Sequence, residues 1–127
     1  MRALAQSGLF DIQAHTYWHP NFKHERERRI PTDLVKFVKQ QLDIFRERIE
    51  AQTHQPVDLL AWPFGIYDYE LIAIASRENY IAAFTLDARA VRRSDSRFAL
   101  PRFLIVEAIG IEGFARLIAD PIAQESP

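Results

Sequence analysis

The chain contains no cysteine, which excludes disulfides and thiolate ligands and leaves His, Asp and Glu as the metal donors. Glycine is scarce, with four residues in 127, and no Gly-rich loop of the kind that cradles phosphate occurs, which argues against a phosphorylated ligand. Neither sign of charge is in excess. Sixteen Lys and Arg stand against 17 Asp and Glu, for a net charge of -1, so no basic face is expected and nucleic acid is not an expected partner. No apolar run approaches the roughly 20 residues of a membrane span. Met1-Arg2-Ala3-Leu4-Ala5-Gln6 lacks the hydrophobic region of a signal peptide, so no export address is expected in this stretch.

What is present is an ordinary globular composition, 48% hydrophobic and 26% charged, enough for one core but short of the roughly 200 residues that a complete α/β barrel needs. A single domain over residues 1–127 is expected, as part of something larger. Its organising stretch is His15-Thr16-Tyr17-Trp18-His19-Pro20, directly after the apolar Gly8-Leu9-Phe10-Asp11-Ile12. Two imidazoles four residues apart fall on one face if the backbone turns helically, and both then reach a single ion. Two ligands are half of a site, because a catalytic zinc takes three protein ligands and an open water position.

In chain order, Arg2 to Ser7 has the look of a helix end with Gly8 as its terminator, and Leu9 to Ala14 alternates as a strand. Asn21 to Arg29 is dense in charges of both signs and reads as a solvated loop or a short exposed helical turn. Thr32 is placed to cap a long amphipathic helix reaching about Gln52, with Leu34, Val35, Phe37, Val38, Leu42, Ile44, Phe45 and Ile49 on its apolar face. His54 lies near its end as a surface residue or dipole partner. Val57 to Trp62 reads as a buried strand ended by Pro63-Phe64-Gly65. Asp68 caps a helix through about Asn79 that turns Leu71, Ile72, Ile74 and Ala75 inward, Tyr80 to Leu86 gives a third strand, and Phe103 to Val106 a fourth. A last helix, Ile111 to Ile118, precedes Asp120-Pro121 and a polar tail. Strands alternating with helices point to an α/β fold of about four parallel strands, or a segment of a (β/α) barrel.

Three stretches together resemble the polysaccharide deacetylases of the NodB-homology type. His15-Thr16-Tyr17-Trp18-His19 matches that family's H-S/T-x-x-H segment after a strand. Leu60-Ala61-Trp62-Pro63-Phe64-Gly65-Ile66-Tyr67 is similar to the F-A-Y-P-Y-G-x-Y form of the branch that includes poly-N-acetylglucosamine deacetylases, with Ala61 where many members carry Arg. Ala83-Phe84-Thr85-Leu86 and Leu100-Pro101-Arg102 look like that branch's C-terminal portion. The family's T-F-D-D-G-like segment, which supplies the general base and a metal-ligating Asp, has no counterpart, and the sequence contains no Asp-Asp pair. Its late Leu-x-His motif is also missing, with Leu104-Ile105-Val106 in its place. The resemblance therefore implies the C-terminal half or so of a deacetylase domain, a partial barrel.

It also implies a divalent metal, zinc by family habit, on His15 and His19, hydrolysis of an acetyl group on an N-acetylglucosamine-type glycan, and an oxyanion donor in the backbone N–H of Phe64. Trp18, Trp62, Pro63, Tyr67 and Arg102 become expected substrate-binding residues, although the aromatics suit packing equally well. Without the base, the chain by itself is expected to be inactive. The family's members act at the cell envelope, and open sheet edges predict a homo-oligomer. The rival is a noncatalytic glycan-binding or structural α/β fragment in which the His pair is vestigial.

Overall fold

The computed structural model describes residues 1–119; Asp120, Pro121 and the polar tail lie outside them. The fold is mixed α/β. Its longest element is α3, Pro31–Thr53, which follows α1, Arg2–Gln6, and α2, Phe22–Arg28. Pro31 occupies the first turn, where its missing N–H is not needed and its fixed φ suits a helix. Thr32 therefore lies inside α3 and does not cap it; Ile30 holds that position without a side-chain cap. At the other end His54 ends the helix in the left-handed region (φ 57, ψ 27), its N–H donating to the Glu50 carbonyl at 2.8 Å. The Glu50 carboxylate in turn accepts from the Val57 N–H at 3.0 Å, so the helix end is tied to the start of the next strand.

One face of α3 forms the core. Leu34, Phe37, Val38, Leu42 and Ile49 are buried with Val57, Leu60, Trp62, Leu71, Ile74, Ala75, Tyr80 and Ala83, each large side chain contributing about 1.5–3 kcal/mol by leaving water. Val35 and Ile44, expected inward, are exposed because they sit at the margins of that face. The charged stretch after Pro20 is helical: the Asn21 carboxamide accepts from the Lys23 and His24 N–H groups at 3.1 and 3.2 Å, and Phe22 packs edge-on against Trp62. In α4, Tyr69–Arg77, Asp68 caps as expected, Oδ1 accepting from the Leu71 N–H at 2.9 Å. Arg26 of α2 holds the other Asp68 oxygen and Glu70, both at 2.6 Å.

The sheet is smaller than expected. Two parallel strands, β1 (Leu59–Ala61) and β2 (Ala82–Phe84), pair in the register Leu59–Ala82, Leu60–Ala83 and Ala61–Phe84. Isolated parallel bridges add Ala14 beside Leu60 and Leu100 beside Phe84. Four segments thus lie side by side in chain order, but no closed barrel forms among the described residues. Leu9 to Gln13 is not a strand, because nothing among the described residues pairs with its outer side, and Leu9 and Phe10 are exposed. The fourth segment bonds through Leu100 rather than Phe103 to Val106, where Leu104, Ile105 and Val106 face solvent. Pro101 has no N–H to continue the ladder there. The final helix, α5 (Gly110–Ala119), forms as expected after a turn of 3-10 helix at Glu107–Ile109, yet buries none of its residues.

Candidate active site

Each segment of the sheet ends at the same edge, and the candidate residues follow those ends: His15 directly after Ala14, Phe64 in the turn after β1 and Arg102 after Leu100, with buried Thr85 after β2. The C-terminal edge of a parallel sheet is where loops are free to vary while the scaffold stays fixed. His15 to His19 does not turn helically. Thr16 and His19 have positive φ, 63 and 54, and this loop, not a helix face, brings the two rings together, with centroids 4.6 Å apart and planes at 68°. The loop is pinned at two points, by His15 Nδ1 on the Ala61 carbonyl (2.7 Å) and by the Trp18 N–H donating to the buried Gln41 side chain (2.9 Å).

A carbonyl only accepts, so Nδ1 of neutral His15 carries the proton and Nε2 keeps its lone pair. That is the arrangement by which an outer hydrogen bond orients a ligating imidazole. Burial, first of all, lowers the His15 pKa below 6.5, and the His19 and Arg102 charges lower it further, while the Ala61 bond opposes them. The ring is thereby held in the form that binds a cation. The two imidazoles fit a divalent ion as part of a donor set, and no group of three or more His, Cys, Asp or Glu suited to a metal occurs among the described residues.

Phe64 closes the other side, its ring 4.4 Å from that of His19. It sits at φ 55, ψ 13 in the turn Pro63–Gly65, followed by Gly65 at φ 67. Only glycine suits that second position, since a Cβ there meets the Leu86 N at 3.0 Å and its Cβ at 3.1 Å. Arg102 is half-buried with Nε donating to the Thr85 carbonyl at 2.8 Å, close enough for its charge to act on His15. Trp18 is exposed and Tyr67 lies at the surface. Trp62 and Pro63 are corrected from the expected set: both are fully buried, and Trp62 Nε1 donates to the Phe98 carbonyl at 2.9 Å, so neither face is open to a sugar.

Three contributors were not apparent from residue types: the Ala61 carbonyl, Gln41 on the helix, and Thr16. Thr16 is buried, and its hydroxyl lacks a hydrogen-bond partner among the described residues. A backbone carbonyl leaves no mark in sequence, whereas a Gln at a core-facing position of α3 is a signal that was open to reading.

Comparison with known proteins bears on the family and the fold. The polysaccharide deacetylase family model matches residues 1–83. No curated protein sequence matches the chain. Among solved structures, BC0361, a polysaccharide deacetylase from Bacillus cereus, superposes with a TM-score of 0.71 at 22% identity, over 92% of this chain and 34% of that one. The BpsB deacetylase domain from Bordetella bronchiseptica gives 0.72 at 16% identity, over 82% and 47%. BA3943, a CE4 family pseudoenzyme from Bacillus anthracis, gives 0.63 at 20% identity, over 98% and 45%. The chain thus spans less than half the length of each of these structures. With its family model covering well over half of its residues, the chain belongs to the polysaccharide deacetylase family.

Proposed function

We propose that this chain is the metal-binding portion of a hydrolase that removes acetyl groups from an N-acetylglucosamine-type glycan. The observation that carries the proposal is the oriented His15–His19 pair, fixed through Ala61 and faced by Phe64. A bound divalent cation, zinc by family habit, supplies an acidified water and a polarised acyl carbonyl. The chain's own residues hold and aim. Ala61 fixes the His15 tautomer, Gln41 anchors the loop at Trp18, and the Phe64 backbone N–H serves as a preorganised oxyanion donor. Arg102 brings a fixed positive charge to the same edge. The general base and a further ligand are supplied from outside the described residues, in the form of an Asp-Asp segment, within a barrel that the four segments begin. The setting is the cell envelope, by resemblance to the family.

Alone, the chain is expected to bind zinc weakly and to release acetate at background, since a positioned base contributes about 10²–10⁴-fold. Joined to a deacetylase half carrying T-F-D-D-G, it should turn over an acetylated glucosamine oligomer, and His15→Ala with His19→Ala should abolish this. Turnover by the chain alone, or full activity in the double variant, would overturn the assignment. A second reading, a noncatalytic member with a vestigial pair, is favoured by the lack of a third donor among the described residues; the joined protein staying inactive would select it. Exposed Leu9, Phe10 and Leu104 to Val106 support self-association through the sheet margins, to be read by light scattering.

A further inference from the structure

Among the buried residues of α3, Leu34, Phe37, Val38, Gln41, Leu42 and Ile49, one is polar. Gln41 is 2% exposed, and a carboxamide at that depth is costly unless it is hydrogen-bonded, so an apolar residue would serve the core better. Packing therefore does not account for it. Its Oε1 accepts the Trp18 N–H at 2.9 Å, and Trp18 directly precedes His19. The geometry points to Gln41 as a positioning residue, which fixes the His19 half of the imidazole pair from α3 as the Ala61 carbonyl fixes the His15 half from β1. This deepens the reading of the pair as a cation site and rests on it for the identity of the ion.

Three features carry it. The loop has to be held from outside, because Thr16 and His19 bracket Tyr17 and Trp18 at φ 63 and 54, a region that non-glycine residues seldom occupy and that a β-branched Thr favours least. The two bonds also divide the work. His15 is held by its own ring, Nδ1 on the Ala61 carbonyl at 2.7 Å, whereas the His19 ring meets the rings of His15 at 4.6 Å and Phe64 at 4.4 Å. Its direction is then set by the backbone that carries it, and that backbone is tied at Trp18. Finally, α3 meets the same loop at two further points: the Arg48 guanidinium stands 4.6 Å over the Tyr17 ring, and the Trp18 ring lies 6.3 Å from that of Phe37. Phe37, Gln41 and Arg48 follow at spacings of four and seven residues and so form one stripe along the helix. Both middle residues of the loop are thereby held by an element that the core keeps in place. A loop ordered before the ion arrives loses less freedom on binding, which raises affinity.

The test uses the whole chain, first metal-free and then titrated with zinc. In the metal-free wild type, nuclear Overhauser contacts between the His15 and His19 rings should be present, as their 4.6 Å separation requires. Gln41→Met keeps the length of the side chain and suits the core but lacks the acceptor. It should lose those contacts and weaken zinc uptake, followed through the ring resonances, by about tenfold, the lower end of the range typical of outer hydrogen-bond partners. Gln41→Glu restores an acceptor oxygen and should recover both. Arg48→Leu should weaken uptake by about two- to threefold, because its contact is exposed. Ile49→Val, a buried change in the same helix that keeps the acceptor, should leave contacts and uptake alone although it lowers stability, which separates positioning from support of the fold. Ring contacts and uptake unchanged in Gln41→Met, no recovery in Gln41→Glu, or an equal loss in Ile49→Val would overturn the positioning role. No zinc uptake by the wild type refutes the cation reading alone, since the ring contacts of the metal-free chain still decide the role of Gln41.

Discussion

The α3 face and the His15–Phe64 edge use the same backbone conformation for opposite ends. Five non-glycine residues have positive φ among the described residues. His54 and Asn79 adopt it where helices stop, which is the ordinary cost of leaving a helix. Thr16, His19 and Phe64 adopt it inside the site, two of them in a loop of five residues, beside a buried hydroxyl that lacks a partner among the described residues. In the core, side chains sit where periodicity sends them and packing is the whole of their role. At the edge, strain of about 1–3 kcal/mol per residue is tolerated because it turns rings toward one another. The core therefore holds the site in a geometry that the site's own residues do not favour.

That contrast can be broken by substitution. Trp62→Ala should be the most damaging, at about 3–5 kcal/mol, because it empties the core and removes the donor to the Phe98 carbonyl; urea unfolding near wild type would show that the motif's Trp is not a core residue. Gly65→Ala should cost less, about 1–3 kcal/mol, from a positive φ and the contact with Leu86. It should also shift the His19 and Phe64 ring resonances, which Trp62-independent core variants such as Ile49→Val should leave alone.

The smallest effect sharpens the electrostatics. The folded pKa of His15 lies below 6.5, with burial as the main cause, so below that value the unfolded chain binds the proton more readily than the folded one. Stability contributed by the neutral ring is full above pH 6.5 and declines as the pH falls through the folded pKa. His15→Gln should flatten that part of the stability profile, and ring NMR should place the His15 midpoint under 6.5; a midpoint at or above it would remove burial as the cause.

Much of the scaffold is legible without coordinates. The apolar spacing in α3, the Asp68 cap and the Val57 to Trp62 run each announce an element, because local propensity and periodicity act over a few residues. The failures share a cause. Leu9 to Gln13 and Phe103 to Val106 have strand composition, but a strand exists only when another backbone pairs with it, and pairing is a long-range fact. Trp62 carries the same side chain as Trp18, and nothing local says that the first is buried against Phe22 while the second stands in solvent.

The sequence by itself determined which chemistry is available: two imidazoles four residues apart at His15 and His19, no thiolate, no Asp-Asp pair, and a Pro-Phe-Gly turn with glycine where no side chain fits. Only the tertiary structure decided how that chemistry is arranged. The Ala61 carbonyl that selects the His15 tautomer is 46 residues away, Gln41 reaches Trp18 across 23, and Phe64 comes to His19 from a different strand end. Such contacts form because the parallel segments end at one edge, and folding brings those ends together by burying α3 beneath them, a condition that depends on the whole chain and on no single motif.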